Sequence, residues 1–325
     1  MRALYAAPVR AGARALTAPA RAALAALVAL LASGALGPAS AAAQERPRPE
    51  RRLRPPPPLP PAPVAFPPYH ERRLSNGAQL IVVEDHEQPV ASINLYVQAG
   101  SRFDPEGKAG LAAFVAALLD KGTATRTARE IAEAIDFVGG SLGASATADW
   151  TSISATVLTE FLDTALVLLG DVVQNPTFPE EELEIHRRRT LSGLRLELSQ
   201  PAAIAQRRFL QEVYGAHPYG RLQTPASVEA IRREDLAAFH RAHYRPQGAL
   251  FVVAGDVRAD DVVARLERHF GGWRAAGAAA PLAPPAPPER TAREIVLVDK
   301  PGSVQAVIRA GHLIGPAADP DWVAL

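Results

Sequence analysis

Two proline-rich segments divide this chain and limit where it can form a compact fold. The first covers residues 44–68 and includes the run Pro55–Pro58, and the second covers residues 276–291 and is densest from Pro281 to Pro288. Proline fixes φ and has no amide donor, so such segments are typical of extended polyproline II spacers. The compact parts of the chain are therefore predicted at 69–275 and at 292–325.

Residues 1–43 have the order of a secretory signal peptide. Arginines precede an apolar run from Ala22 to Ala32, and the small residues Ala41–Ala43 follow it. A basic region, an apolar region that is short for a bilayer span and a small-residue cleavage site predict export with cleavage after Ala43. The expected location is a bacterial periplasm or the medium. A mitochondrial transit peptide is the alternative, because the segment is also rich in arginine and poor in acid.

The chain contains no cysteine and carries a formal net charge of only +1. The absence of thiols excludes disulfides, thiolate zinc sites, cysteine nucleophiles and a lipoprotein anchor, so no stable membrane anchor is expected. Nucleic-acid-binding proteins usually show a strong basic excess, whereas the short run Arg187–Arg189 spreads its side chains around a helix. No nucleic-acid partner is predicted.

The apolar pattern of residues 69–275 switches repeatedly between strand and helix periods. Asn76-Gly77 predicts a hairpin turn, Thr127–Glu130 is a capping box that opens a helix, and Gly139-Gly140 ends that helix. The predicted strands are 80–83, 91–97, 141–148, 151–158 and 249–254, and the predicted helices are 110–119, 128–137, 160–174, 179–198, 227–232, 234–243 and 260–270. The pattern therefore predicts one domain of mixed strands and helices.

After the second proline-rich segment the strand pattern starts again. Glu294–Val298 and Val304–Ala310 are predicted as strands, with Asp299–Gly302 as the turn between them. Residues Val296–Lys300 resemble Ile81–Asp85 in their apolar pattern. The identity is low, so the resemblance indicates a similar structure rather than a proven repeat. Residues 292–325 are interpreted as the start of a second homologous domain that is truncated.

Several short motifs, in order along the chain, resemble those of the pitrilysin/insulinase family of zinc metallopeptidases, the inverzincins. The motifs are Gln98 to Arg102, Gly107 to Ala112 followed by Lys121-Gly122-Thr123, Phe178 to Glu182, Tyr214 to Arg221, and Val252 to Asp256 followed by Asp299 to Gln305. The resemblance covers most of residues 70–325. It implies an α+β fold like that of a mitochondrial processing peptidase, with helices packed on one face of a mixed or antiparallel sheet.

In that family a His-x-x-Glu-His sequence precedes the Lys-Gly-Thr motif. Two imidazoles at i and i+4 lie on one helical face and bind one zinc ion, and the glutamate is the general base for the zinc-bound water. At these positions this sequence has Ala113 and Ala117 for the histidines and Ala116 for the glutamate. None of the three side chains can bind a metal or accept a proton.

The family's third zinc ligand is a glutamate on a later helix. Counting along the helix that begins near Pro179 places this position at Gly193, within one turn. Glu184 and Glu197 are the nearest carboxylates and neither fits the spacing, and an earlier acidic position of the family falls at His186. Four changes together indicate that the zinc site is lost, so no catalytic residue, cofactor or metal ligand is predicted.

Other metal-binding side chains occur in pairs at helical spacing. Glu182 and His186 are i and i+4, and His240 and His243 are i and i+3. Two ligands do not complete a zinc site, and such pairs are interpreted as solvated helix surfaces. His217 is interpreted as a turn residue. The sequence has no Gly-x-Ser-x-Gly elbow and no phosphate-binding glycine loop.

The resemblance implies that the chain forms half of a two-part chamber, because several family members pair a zinc-bearing chain with a degenerate one. The leading hypothesis is a non-catalytic, peptide-binding or structural subunit. Its expected partners are a zinc-bearing homologous peptidase subunit and an unfolded or extended peptide, which a sheet edge would hold by main-chain bonds. Two alternatives stay open. One is an active zinc metalloendopeptidase with unconventional ligands, and the other is the product of a truncated gene.

Overall fold

The computed structural model of the chain divides into two units, residues 1–64 and 65–325. The structure describes residues 67–275, 286, 288–289 and 292–315, all of which belong to the second unit. The predicted signal peptide and nearly all of the first proline-rich segment lie outside the described residues, as does most of the second proline-rich segment.

The second unit is built from one sheet and the helices that cover it. The strands are β1 (His70–Arg73), β2 (Gln79–Glu84), β3 (Val90–Val97), β4 (Ser141–Ala146), β5 (Thr151–Leu158) and β6 (Leu250–Gly255). The α-helices are α1 (Leu111–Leu118), α2 (Ala128–Phe137), α3 (Leu162–Gln174), α4 (Glu180–Glu197), α5 (Pro201–Tyr214), α6 (Pro225–Ala230), α7 (Arg233–His243) and α8 (Ala259–Phe270). Short 3-10 helices lie at Ser101–Phe103, Thr159–Phe161 and Pro218–Gly220.

The six strands form one mixed sheet in the order β1-β2-β6-β3-β5-β4. β2 and β6 pair in parallel, with Leu80 opposite Phe251, and the other neighbouring strands pair antiparallel. This order inserts the last strand between β2 and β3, which follow each other in sequence. It leaves β1 and β4 at the two edges of the sheet.

One face of the sheet is buried under the helices and the other is largely polar. Along β3 the side chains of Ala91, Ile93 and Leu95 are fully buried, whereas Ser92 and Asn94 between them are partly exposed. The period of two places every second side chain on the helix-facing side. The predicted fold class, α+β with helices packed on one face of a mixed sheet, is confirmed.

Local signals in the sequence have the predicted structural roles. The side chain of Asn76 holds the β1–β2 turn, since it donates to the Phe270 carbonyl at 2.8 Å and accepts from the Ala78 amide at 3.0 Å. At the start of α2, Thr127 and Glu130 form the predicted capping box, with the Thr127 hydroxyl accepting from the Glu130 amide. The capping box is local, whereas the β1–β2 turn is also held by the Phe270 carbonyl at the end of α8.

Two helices differ from the sequence prediction. The apolar pattern does not predict α5, whose 14 residues include no fully buried side chain. Its sequence signal is Pro201 at the first helical position, where a missing amide is tolerated. Helix α6 begins at Pro225, capped by Thr224, and ends before Ile231, which is extended. The prediction of a helix over 227–232 is therefore shifted by two residues.

The second predicted pair of strands does not form. The described residues 292–315 contain no helix or strand, although the predicted turn is present and the Ser303 amide donates to the Lys300 carbonyl at 3.2 Å. Strands are stabilised by hydrogen bonds to a neighbouring strand, and these residues have no such neighbour. The predictions of strands at 294–298 and 304–310 are wrong for this structure.

Candidate functional site

The start of helix α1 is fixed by a buried carboxylate. Asp104 accepts hydrogen bonds from the amides of Gly110 at 2.6 Å and Ala112 at 2.8 Å, which satisfies donors at the helix N-terminus. Gly110 has φ +106°, and a Cβ built on it would lie 2.2 Å from Nε2 of Gln223. Glycine is therefore required at this junction, and the register of α1 is well defined.

Burial raises the pKa of Asp104 to about 6, because desolvation of the carboxylate outweighs its bonds to the Ala112 and Gly110 amides and the charge of Arg221. The Arg221 guanidinium donates to the backbone carbonyl of Asp104 at 2.8 Å rather than to its carboxylate. This bond connects the loop before α1 to the residue that follows the 218–220 turn. The carboxylate of Asp104 bonds only to amides at the start of the helix.

Helix α1 has one buried face and one open face. The buried face consists of Leu111, Phe114, Val115 and Leu118, each at most 1% exposed. Ala113 and Ala117 are partly exposed and, being four residues apart, lie on the same side of the helix. Ala116 is 2% exposed and lies at the edge of the buried face. The structure therefore places the two histidine-position alanines together on the open face of α1.

Helix α4 packs beside α1 and carries the fourth position. The ring of His186 on α4 meets the ring of Phe114 edge-on, with centroids 4.5 Å apart. Gly193 follows His186 by seven residues, about two helical turns, and so lies on the same side of α4. It is exposed, and a Cβ built on it meets no atom within 4 Å. The arrangement is consistent with the predicted position of Gly193 opposite α1.

These four positions do not provide a metal centre. Ala113, Ala116, Ala117 and Gly193 have no nitrogen, oxygen or sulfur in their side chains. Across residues 67–275 and the described part of 286–315, no group of three or more histidine, aspartate or glutamate side chains is arranged to hold a metal ion. Zinc sites in proteins use three or four such ligands. The residues present at the family's zinc position do not fit the metal.

The Lys-Gly-Thr motif after α1 has a structural role in this chain. The Thr123 hydroxyl donates to the Asp171 carboxylate on α3 at 2.7 Å, and Arg126 pairs with the same carboxylate at 2.7 Å. Burial would raise the pKa of Asp171, but these bonds and those from Thr125 and Asn175 outweigh it and keep the pKa below its usual value. The segment after α1 is therefore bonded to α3 through the charged Asp171 carboxylate, which accepts several hydrogen bonds.

The carboxylates of α4 that are nearest to Gly193 in sequence form ion pairs. Glu184 accepts from Nε of Arg187 at 2.9 Å, and Glu197 accepts from Arg207 at 3.3 Å. Arg187 is itself buried and also donates to the carbonyls of Val228 and Ile231 at the end of α6. The basic run on α4 therefore includes one structural arginine, and neither glutamate occupies the position of a zinc ligand.

The pair Glu182 and His186 does not form a site either. Both side chains are only partly exposed. Burial lowers the pKa of His186, and the charges of Arg189 and Lys121 lower it further, so the ring is neutral at pH 7. Its contact with Phe114 makes it a packing residue between α4 and α1, and the interpretation of this pair as a solvated surface is wrong for His186.

Neither histidine of α7 belongs to a solvated surface, so that interpretation is wrong for this pair too. Nε2 of His240 lies 2.8 Å from the Val173 carbonyl, and the His243 ring packs against Phe103 and Phe239 with centroid distances of 4.7 and 4.5 Å. Burial lowers the pKa of each to about 4. The rings have separate partners, so they do not converge on one metal. The apolar residues around them in sequence were the available signal for this burial.

A cluster that the sequence does not reveal joins three loops beside α1. The Tyr219 hydroxyl donates to the Asp149 carboxylate at 2.7 and 2.8 Å, and Arg102 pairs with the same carboxylate at 3.0 Å. His217, as predicted, is a turn residue, since its Nδ1 accepts from the Tyr219 amide at 3.1 Å. The cluster holds the β4–β5 hairpin tip against the end of β3.

Strand β4 is an open edge next to α1. It packs beside α1 and α2 and pairs on one side only, with β5. Its six residues, Ser141–Ala146, include no charged side chain. An uncharged edge strand presents amides and carbonyls to another extended segment. The open face of α1 and the free edge of β4 are therefore the two surfaces available at this site.

Two family matches follow one another along the chain. Residues 80–222 match the insulinase family (peptidase family M16), and residues 230–325 match the peptidase M16 inactive domain. An uncharacterized zinc protease of Mycobacterium leprae (strain TN) is 38% identical over 196 residues, which make up 59% of this chain and 44% of that protein. The chain spans about half the length of the curated relatives it matches.

Solved structures show the same architecture. The peptidase M16 inactive domain from Pseudomonas fluorescens has a TM-score of 0.63 and 26% identity, over 68% of this chain and 54% of that one. Pitrilysin has a TM-score of 0.58 and 21% identity, over 64% of this chain and 23% of that one, a likeness that concerns the fold alone. The resemblance read from the sequence motifs is thereby confirmed.

Proposed function

This chain belongs to the insulinase family, peptidase family M16, and we propose that it is a non-catalytic member of that family. In this proposal it binds extended peptide or supports a peptide chamber, and it pairs with a zinc-bearing homologous peptidase chain. The observation that carries the proposal is the set of residues at the zinc position of α1 and α4, namely Ala113, Ala116, Ala117 and Gly193.

Hydrolysis by this family's chemistry requires a bound metal and a general base, and both functions need side-chain lone pairs. The nearest imidazole is His186, which packs against Phe114. Two carboxylates of α4, Glu184 and Glu197, are engaged by arginines. The engagement of these side chains supports a binding role.

The edge of β4 supports peptide binding. An extended peptide can add to an open strand by main-chain hydrogen bonds, with little demand on its sequence. β4 offers such an edge, and Ala113 and Ala117 on the neighbouring α1 are partly exposed and have short side chains. An open strand edge of this kind is sufficient to bind an unfolded peptide without cutting it.

Pairing with a second chain is supported by the extent of the family matches. The chain matches a peptidase region and then an inactive-domain region. A partner that carries the His-x-x-Glu-His sequence would supply the metal that this chain does not hold. A neighbouring open reading frame that encodes such a partner would support the pairing.

The alternative is an active zinc metalloendopeptidase with unconventional ligands. It is favoured by the relative from Mycobacterium leprae, which is named as an uncharacterized zinc protease. For this chain it would require ligands outside the described residues, because those described do not converge on a metal.

Metal content of the purified chain separates the two proposals. A zinc site with a full ligand set contributes on the order of 10 kcal/mol at neutral pH and so survives dialysis against metal-free buffer. We expect no stoichiometric zinc by elemental analysis and no cleavage of an unfolded reporter peptide, together with measurable binding of that peptide by fluorescence anisotropy. One zinc per chain, or zinc-dependent cleavage, would establish the enzyme instead.

Export is part of the proposal. The support is the order of basic, apolar and small residues within residues 1–43. Among the described residues no helix is long and apolar enough to cross a bilayer. We expect the exported protein to begin after Ala43, and N-terminal sequencing that finds Met1 would contradict this.

A further inference from the structure

Strand β4 has little intrinsic preference for the extended conformation that a peptide-binding edge requires. Its six residues read Ser-Leu-Gly-Ala-Ser-Ala, with no β-branched or aromatic side chain among them. Glycine and alanine are depleted in strands, and an interior glycine such as Gly143 offers no side chain for packing. β4 also lies at the edge of the sheet and pairs there with β5 alone. Contacts outside the strand must therefore help to hold it in place.

The hairpin tip between β4 and β5 is docked on the loop that follows β3. The amides of residues 100–102 donate to the carbonyls of residues 147–149 over 2.9 to 3.2 Å. A Cβ built on Gly100 would lie 2.3 Å from the Ala148 carbonyl oxygen, so this close approach requires glycine. The Thr147 amide closes the tip itself by donating to the Trp150 carbonyl at 2.7 Å. The backbone alone thus sets the place of the tip beside the end of β3.

A carboxylate at the tip adds side-chain bonds to this backbone docking. Asp149 accepts from the Tyr219 hydroxyl at 2.7 Å and pairs with Arg102 at 3.0 Å. Hydrogen bonds to a charged group are stronger than neutral ones, and the Arg102 side chain is only 13% exposed. Tyr219 lies on the 218–220 turn after α5, which is separate from the sheet. Its bond therefore connects the tip of the β4 hairpin to a distant segment of the chain.

The Tyr219 hydroxyl is kept protonated and is aimed at Asp149. Burial, the bond to Asp149 and the charge of Asp149 raise the pKa of Tyr219 to about 12. The Tyr219 ring also meets the rings of Tyr214 and His217 edge-on, with centroid distances of 5.5 and 4.6 Å. Edge-to-face contacts of this kind favour one orientation of the ring. Packing as well as the hydrogen bond therefore fixes where the hydroxyl points.

We propose that Tyr219 is a positioning residue for peptide binding, which acts through Asp149 to hold the β4 edge extended before the peptide arrives. Arg102 holds the same carboxylate from the other segment. This inference rests on the proposed function, because it concerns the affinity of β4 for an extended peptide. A peptide that adds to an edge already in place does not have to order that edge, and the cost of such ordering would otherwise weaken binding.

Two tyrosine variants test the proposal. Tyr219→Phe keeps the ring and removes the hydroxyl that donates to Asp149. Tyr214→Phe is the matched control, because it removes a hydroxyl from the same aromatic cluster and leaves the Asp149 bonds in place. Fluorescence anisotropy with an unfolded reporter peptide measures Kd. We expect Tyr219→Phe to raise Kd about fivefold and Tyr214→Phe to change it by less than about twofold. A Tyr219→Phe variant with the Kd of the parent overturns the proposal.

A double-mutant cycle shows whether Tyr219 acts through Asp149. Asp149→Ala removes the acceptor and should raise Kd at least as much as Tyr219→Phe does, whereas Asp149→Asn keeps an acceptor and should weaken binding less. In the Asp149→Ala background, Tyr219→Phe should have no further effect, because the bond is already absent. An equal loss of affinity from Tyr219→Phe in both backgrounds contradicts the proposal, since the hydroxyl would then act by another route.

Hydrogen exchange of the peptide-free protein distinguishes positioning from a general loss of stability. Tyr219→Phe should speed exchange about fivefold for the β4 amides that bond to β5, and it should leave the amides of β3 and β6 unchanged. Equal acceleration in all strands contradicts the positioning role. A parent that binds no peptide contradicts the proposed function, and the role of Tyr219 in binding falls with it. A parent that binds peptide no better than Tyr219→Phe contradicts the positioning role alone.

Discussion

The buried and open faces of helix α1 place different demands on the sequence. On the buried face Phe114 and its neighbours are fully buried. Asp104 and Thr123, which anchor the two ends of the helix, are both hydrogen-bonded. On the open face Ala113 and Ala117 contribute no polar group. The difference shows that the packing and the anchoring of α1 depend on residues other than those on its open face.

Helix α7 shows that residues able to bind a metal can instead have a structural role. It retains two histidines, but His240 bonds to a backbone carbonyl and His243 packs among aromatic rings. Residues of the right chemical type do not make a metal site when packing has already engaged them. The position of a side chain, more than its identity, decides whether it is available for chemistry.

The largest contrast between the two faces of α1 should appear in stability. Phe114→Ala removes a fully buried ring and should lower the free energy of unfolding by about 3–5 kcal/mol. Ala113→Ser, on the open face one residue earlier, should change it by no more than about 0.5 kcal/mol. Urea denaturation of both variants measures the difference, and similar costs at the two positions would show that the open face is packed.

Acidification should have opposite effects on stability through Asp104, which anchors α1, and through His240 on α7. Burial lowers the pKa of His240 from 6.5 to about 4, so stability is lost as the pH falls through that range. Burial raises the pKa of Asp104 from 3.8 to about 6, so stability is gained as the pH falls from about 6 toward 3.8. Each effect amounts to roughly 3 kcal/mol at most, and in the parent they oppose each other.

Asp104→Asn should therefore make the chain lose stability more steeply between pH 7 and pH 4.5 than the parent does. His240→Gln should make the loss shallower. The measurement is the free energy of unfolding in urea at the two pH values. A slope for Asp104→Asn that equals that of the parent would show that this carboxyl group does not titrate in the folded state within that range.

Restoring the ligands would convert the open face into a metal-binding one. Ala113→His, Ala116→Glu, Ala117→His and Gly193→Glu together should produce zinc affinity, because three of the four positions are exposed or partly exposed. Ala116 is 2% exposed, and a larger side chain there costs roughly 1–3 kcal/mol of overpacking. At a free zinc concentration of 100 times Kd, binding would stabilise the fold by about 2.7 kcal/mol.

The measurement is the rise in Tm on addition of zinc. The matched control replaces Gly193→Glu by Gly272→Glu, which keeps the charge and the glycine count but leaves one ligand out of place. We expect the control to gain less from zinc, and we expect no peptidase activity from either variant. A folded quadruple variant that responds to zinc no more than the parent would show that Gly193 is not opposite α1.

The smallest effect concerns two glycines at the site. Gly193→Ala should stabilise the chain by about 0.5–1 kcal/mol, since the position is helical, exposed and free of neighbours. Gly110→Ala should have the opposite sign, because its φ of +106° strains a side chain that would also collide with Gln223. Thermal unfolding distinguishes the two, and destabilisation by Gly193→Ala would indicate a contact on the open face.

Much of the fold could be predicted because its signals are local. The capping box at Thr127 and the start of α4 after Pro179 depend on contacts within a few residues, and so does the bond between Asn76 and the Ala78 amide. The family resemblance also follows from short motifs in order, and with it the alanines at 113, 116 and 117. What these motifs do not reveal is which polar side chains are already engaged by distant partners.

The sequence by itself determined the order of the elements, the family and the absence of metal ligands on α1, since each depends on residues close together along the chain. Only the tertiary structure decided that β6 lies between β2 and β3, that Thr123 is bonded to Asp171, and that His240 and His243 are partly buried in packed surroundings. It also decided that residues 294–298 and 304–310 are not strands in this structure. These features depend on contacts between distant segments, and a strand or a buried imidazole is stabilised by what the rest of the chain places beside it.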